Sequence, residues 1–154
     1  GDFLMFIARL NHWLPEGDTD RYGFFLVGYL HVDHIISSVT SIPLNADLER
    51  FSSNAHIRRA MYDSSLWDSF WIFGGSSWSR RFHKAVPVTR EICDQIFRAA
   101  DGSKWKWGMN EGGRSDLQVI GSYTRTCRCS IDPGTEDGAK RAILLWKWIE
   151  SYSD

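Results

Sequence analysis

Residues 71 to 89 read "WIFGGSSWSRRFHKAVPVT" and hold the densest group of side chains able to do chemistry. Gly74 and Gly75 free the main-chain N–H groups that follow them to turn toward an anion. Ser76, Ser77 and Ser79 add hydroxyl donors, and Arg80 and Arg81 add charge that can bind a phosphate in bidentate fashion. Trp78 offers a flat face on which a nucleobase can stack. The segment is not a phosphate loop of the nucleoside-triphosphatase kind, because G-x-x-x-x-G-K-[ST] is absent. The plain alternative is a surface turn with solvated charges.

Three smaller groups share this chemistry. "SSNAHIRR" (52–59) sets Asn54 and His56 beside Arg58 and Arg59. An Asn amide can pair with an adenine-like edge, and His can donate, accept or transfer a proton; both residues also serve as helix caps. "SYTRTCRC" (122–129) carries Arg125 and Arg128, which face opposite ways in a strand, so at most one shares a pocket with residues 71 to 89. "KWKWG" (104–108) places Trp105 and Trp107 so that both rings can lie on one side of an extended loop and cage a base or cation. Folding of these rings onto the core is the plain alternative.

Enzyme signatures are mostly missing: no G-x-S-x-G, H-E-x-x-H or C-x-x-C occurs. "HVDH" (31–34) puts His31 and Asp33 on one strand face and His34 on the other, which spoils a three-ligand metal site. No metal or other cofactor is expected. If the chain is an enzyme, His56 is the candidate general acid or base, with the arginines holding phosphate.

The formal net charge is −1, so an anion site must be a local patch. That balance also argues against tight, sequence-independent duplex binding, which needs several phosphate contacts. Eight Trp, nine Phe and five Tyr are many for 154 residues, and Trp is rarely fully buried, so some rings should reach a surface or groove. No apolar run approaches the ~18 residues of a membrane span, and no basic-then-apolar leader is present. Cys93, Cys127 and Cys129 are too few for a disulfide framework and lack a second zinc-ligand pair. A cytoplasmic protein with reduced thiols is the expectation, with no membrane partner. The opening "GDFLMF" begins inside an apolar run without Met, as a piece of a longer protein would. A missing N-terminal segment or a partner chain would then cover an open sheet edge.

These groups need elements to position them, and the chain reads as a single α+β domain over residues 1–154. "FLMFIARL" (3–10) and "FFLVGYLHVDHII" (24–36) predict antiparallel strands joined by a loop over 11–23, with "SFWIF" (69–73) in the same sheet. Gly28 within the second strand signals a bulge or a close backbone approach. A short helix is predicted near "ADLERF", "SNAHIRRAMYDSS" holds Asn and Ser cap candidates, another helix is predicted after Thr89 as N-cap, and a terminal one over 135–152. The terminal helix shows Ala139, Ala142, Ile143, Trp146 and Ile149 at helical spacing. "LQVIGSYTRTCRCSI" (117–131) reads as a strand or a pair of short ones.

Three segments, "GDFLMFIARLNHW", "YGFFLVGYLHVDHI" and "IFGGSSWSRRFHKAVPVT", resemble in that order the nucleotide modification associated domain of the third type. Its pattern is a GD-apolar-apolar-F-Y strand, an apolar-apolar-G-Y-apolar-x-V strand, then a Gly-Ser…Ser-Arg…K-A-V-P segment. The first two also resemble strands of the wider class of pseudouridine-synthase-and-archaeosine-transglycosylase-like (PUA-like) barrels, which includes the ASCH, EVE and YTH domains. The resemblance covers most of residues 1 to 90. It departs at Ile7, where the family has Tyr, and at "WSRRFHK", which is bulkier and more basic.

The resemblance implies a small, bent, mostly antiparallel β-barrel with flanking helices, often with a further N-terminal portion. It also implies a role connected with modified nucleotides in DNA or RNA. Asn54, His56, Gly75, Ser76, Ser79 and Arg80 match the polar positions of the family pattern. Together with Arg59, Ser77, Trp78, Trp107 and Arg125 they make up the candidate nucleotide site. Three functions follow in turn: a module that binds a modified base flipped from its strand, a base-processing enzyme, or a structural subunit. The first expects at least two of Trp71, Trp78, Trp105 and Trp107 to line one concave pocket.

Overall fold

Aromatic and β-branched residues recur along the first forty positions, and they form two long strands, β1 (Phe3–Leu14) and β2 (Gly17–Val39). The computed structural model describes residues 1–15, 17–98, 102–105, 107–109, 115–117 and 129–152. The loop predicted over 11–23 is therefore mostly strand. Pro15 lies in a turn, and the Asp residues that signalled a loop belong to β2.

Two further strands, β3 (Phe70–Gly75) and β4 (Arg80–Pro87), complete a four-stranded antiparallel sheet. Its order is β1-β2-β3, with β4 also paired to β2. Among the described residues the sheet is not closed into the expected barrel. β4 was not anticipated: its charged residues hide the alternation that marks a strand. A separate hairpin joins β5 (Trp107–Met109) to β6 (Ser115–Leu117). Four helices, α1 (Asn45–Phe51), α2 (Ala55–Tyr62), α3 (Arg90–Ile96) and α4 (Glu136–Glu150), make the fold α+β. Among the described residues no helix is long and apolar enough to cross a membrane.

The chain forms two compact units. The first comprises Gly1–Met5 and Gly28–Arg81, the second Phe6–Val27 and Phe82–Asp154. In the first unit Val39, Ile57 and Ile72 are buried together, with Ile36, Leu48, Phe51, Trp67 and Phe70 packed against them. β3 alternates, sending Ile72 inward and Trp71 and Phe73 outward. Its register on β2 pairs Ile36 with Ile72 and Ile35 with Phe73, and slips between Val32 and His34. That slip breaks the expected facing of "HVDH". Asp33 accepts from Arg50 at 2.7 Å and His34 lies 3.0 Å from Asp47, so both reach α1.

In the second unit the caps fall where the sequence puts them. Thr89 Oγ1 accepts from the Ile92 amide at 3.3 Å and opens α3, which buries Ile92, Cys93 and Ile96. Thr135 does the same for α4 through the Gly138 amide at 3.0 Å. The buried face of α4 is Gly138, Leu145 and Ile149, while Ile143 of the predicted stripe is exposed. Trp148 Nε1 donates to the Pro87 carbonyl at 2.9 Å and ties the helix to the end of β4. Arg141 donates to the Ile96 carbonyl at 3.0 Å and ties α4 to the end of α3.

Cys129 accepts from the Arg98 amide at 3.2 Å, and Cys93 and Cys129 are free thiols. Burial pushes the Cys129 thiol up from its ordinary value of 9.0, opposed by the Arg98 amide and by the charges of Arg141 and Arg98. A raised acid holds its proton more tightly when folded. Its contribution is therefore complete below the unfolded value and is lost as pH rises through the higher folded value. Urea unfolding from about pH 8 to about pH 10.5 should show stability falling with pH in the wild type, and Cys129→Ala should flatten that fall. An identical alkaline slope in both proteins contradicts the assignment.

Candidate functional site

β3 leaves its partner after Gly75, which pairs with Val32. The next position on β2 is His31, whose main-chain N–H and C=O would face no strand. The turn supplies both partners. The Ser76 amide donates to the His31 carbonyl at 2.9 Å, and the His31 amide donates to Ser79 Oγ at 3.1 Å. A third bond joins the side chains, with His31 Nδ1 2.7 Å from Ser76 Oγ.

The turn is closed on itself as well. The Ser79 amide donates to the Ser76 carbonyl at 3.0 Å, and the Trp78 amide donates to Ser76 Oγ at 3.1 Å. The second contact is the short-range side-chain-to-backbone bond that serine favours in turns. Gly75 has to be glycine, since a Cβ there would run into the Leu30 side chain and Ser79 Oγ. β4 then starts at Arg80. It comes so close to Gly28 that an added Cβ would lie 2.5 Å from the Arg80 carbonyl oxygen and 3.0 Å from Arg81 Cα. Close backbone approach is thus the reason for glycine in β2.

Trp78 projects from this turn 72% exposed, the most open Trp among the described residues. Its ring lies 5.6 Å from the His31 imidazole at an interplanar angle of 30°. Phe3 sits 4.8 Å from the imidazole, and Tyr29 meets Phe3 edge-on at 5.4 Å. Tyr29, Phe3, His31 and Trp78 are therefore one run of rings ending at solvent. The start of β1 is held there by the Val32 amide, which donates to the Asp2 carbonyl at 2.8 Å. Arg80 is exposed two residues after Trp78, and strand alternation turns Arg81 to the other face. Ser77 is exposed at the tip.

The second predicted group lies elsewhere in the unit. Asn54 is the N-cap of α2, and its Oδ1 accepts from the His56 amide at 2.9 Å and the Ile57 amide at 3.4 Å. His56 is exposed, with its ring 5.3 Å from Phe70 at the beginning of β3. The serine turn follows the other end of β3, about 17 Å away at ~3.3 Å per residue. Gly75 through Arg80 are brought together, but Asn54, His56 and Arg59 are not brought to them. Arg59 is exposed on α2, and its carbonyl accepts from the Asp63 amide at 3.0 Å.

The side chains of Trp71, Trp78 and Trp105 are described, and each ring has its own neighbours. Trp71 lies on the outward face of β3 and stacks with Phe73 at 6.4 Å. Trp105, in the other unit, is 4% exposed and stacks on Phe97 at 4.6 Å, so it is a core ring. Trp107 contributes main chain to β5, its side chain lies outside the described residues, and so does Arg125. A mostly apolar cavity of about 380 Å³ does exist between α3 and α4, walled by Ile92, Leu144, Lys147 and Trp148, but it holds none of the predicted site residues. Among the described residues no group of three His, Cys, Asp or Glu side chains is placed to hold a metal ion.

His31, Phe3 and Tyr29 were not among the predicted site residues. The contacts of His31 to the turn bridge 45 and 48 residues, and the local hint was a pair of serines flanking an aromatic after Gly-Gly. No protein-family model, no curated protein and no solved structure matches the chain. The geometry of the turn therefore bears the functional question by itself. It also makes a prediction about Gly28. Gly28→Ala should destabilise the protein by about 1–3 kcal/mol in urea unfolding, since main chain rather than a movable side chain meets the new methyl. A loss under ~0.5 kcal/mol, the range of neutral surface changes, would show that β4 is not so closely apposed.

Proposed function

We propose that the turn Gly75–Arg80 binds a modified nucleobase in DNA or RNA, and that the chain is a binding module linked to nucleic-acid modification. One observation carries this: Trp78 stands 72% exposed with its ring 5.6 Å from the His31 ring. A solvent-facing indole is what a base needs in order to stack, a contact worth ~1–3 kcal/mol. Arg80, exposed beside it, is placed to take the phosphate of the same nucleotide, and the Ser77 hydroxyl adds a donor at the tip. The resemblance to nucleotide modification associated domains points the same way. With this proposal go the closed barrel of that class and a cytoplasmic location.

Catalysis through His56 has less behind it. Its ring leans on Phe70, about a strand's length from the serine turn, and the neighbouring Asn54 is engaged as a cap. Binding without chemistry needs only the platform and the charge.

Oligonucleotides carrying methylated or hydroxymethylated bases, with unmodified controls at one fixed salt concentration, test the proposal. Trp78→Ala should weaken binding by ~1–3 kcal/mol and Arg80→Ala by ~1.5–3 kcal/mol, as for a charge-assisted hydrogen bond. Both variants should keep the wild-type unfolding midpoint. Equal affinity in all three proteins rules out the platform, and equal affinity for modified and plain bases rules out a reader of modification. Release of an altered base would establish an enzyme instead.

A further inference from the structure

We infer that His31 and Ser76 form a latch that fixes the posture of Trp78, and that they are positioning residues for the platform rather than contacts to the ligand. The function of the latch rests on the stacking role just proposed; its existence does not. Every polar atom of Ser76 is engaged. Its amide donates to the His31 carbonyl, its carbonyl accepts from the Ser79 amide, and its Oγ takes the Trp78 amide while meeting His31 Nδ1. A serine hydroxyl has one proton and two lone pairs, so these two Oγ contacts can be satisfied together.

His31 is used as fully from the other side. Its amide and carbonyl hold Ser79 and Ser76, its Nδ1 holds the Ser76 hydroxyl, and its ring lies between Phe3 and Trp78. The main chain of Trp78 is thus tied to Ser76 Oγ, and its indole rests on the ring that the same oxygen orients. Removing that one oxygen releases both restraints at once. An exposed indole without them samples several rotamers, and a ligand must then order it on binding. Preorganisation removes that cost.

Amide hydrogen exchange on the free protein, read residue by residue by NMR, tests the latch without any ligand. Ser76→Ala should lower protection of the Trp78 amide by about tenfold while leaving Ile57 and Ile72 protected as in wild type. Ser76→Thr, which keeps the hydroxyl, should restore protection. His31→Phe keeps a ring against Trp78 but lacks Nδ1, and should loosen the Trp78 indole signal without unfolding the unit. Unchanged Trp78 exchange in Ser76→Ala overturns the latch. So does failure of Thr to rescue, or an equal loss at Ile57 and Ile72, which would mark Ser76 as generally structural. Titration with the modified-base oligonucleotides separates the two claims. If wild type binds and Trp78→Ala weakens it, Ser76→Ala should bind about tenfold more weakly. Wild-type affinity in Ser76→Ala then overturns the latch as a positioning device and leaves the platform standing. If wild type binds no oligonucleotide, the platform falls and the exchange result alone decides the latch.

Discussion

Main-chain polar groups inside a sheet must find partners, and at His31 the neighbouring strand has already departed. An unmet buried donor or acceptor costs about 1–3 kcal/mol, so the chain cannot leave β3 freely after Gly75. It must pass the Ser76 amide and the Ser79 hydroxyl across the two vacant positions of His31. That requirement bears on the length of the turn, on the hydroxyl at Ser79 and on the lack of room for a side chain at Gly75. It also sets where β4 begins, and hence where Arg80 emerges. Trp78 is exposed because it is the residue left at the tip once the other polar groups of the turn are engaged.

The cationic and aromatic cluster that stood out in the sequence thus has a structural cause before it has a functional one. Arg80, Arg81, His83 and Lys84 belong to a strand, not to a loop, and alternate faces divide them. Only Arg80 shares the neighbourhood of Trp78 by its place in the chain. This narrows the chemistry from a general phosphate-binding loop to one indole, one guanidinium and the serine groups at the tip. The indole lies beside an imidazole, which in turn meets Phe3.

Much of the frame was legible. Asn54 and Thr89 were readable as caps because a cap is a local bond, made within three residues of its donor. The apolar runs at 3–10, 24–36 and 69–73 gave three strands, since burial leaves its mark on composition. What failed was long-range or masked by charge. β4 carries four basic residues and reads as solvent-facing coil. The extent of the β1 and β2 strands was missed because Pro and Asp were weighed as loop formers over a stretch where sheet pairing overrides them. The bond from Trp148 to Pro87 spans 61 residues and leaves no local mark in the sequence. His31 was seen only as one member of a strand face, because its partners lie 45 and 48 residues further along.

The central claim is that ligand meets this protein at the serine turn. Amide and indole chemical shifts recorded while a modified-base oligonucleotide is added at fixed salt test it most directly. The account predicts that the largest changes fall on Ser76 to Arg80, on the Trp78 indole and on His31, with smaller ones at Phe3. Changes centred instead on Asn54 to Tyr62, or on Ile92 and Trp148 at the α3–α4 cavity, would contradict it and move the site elsewhere.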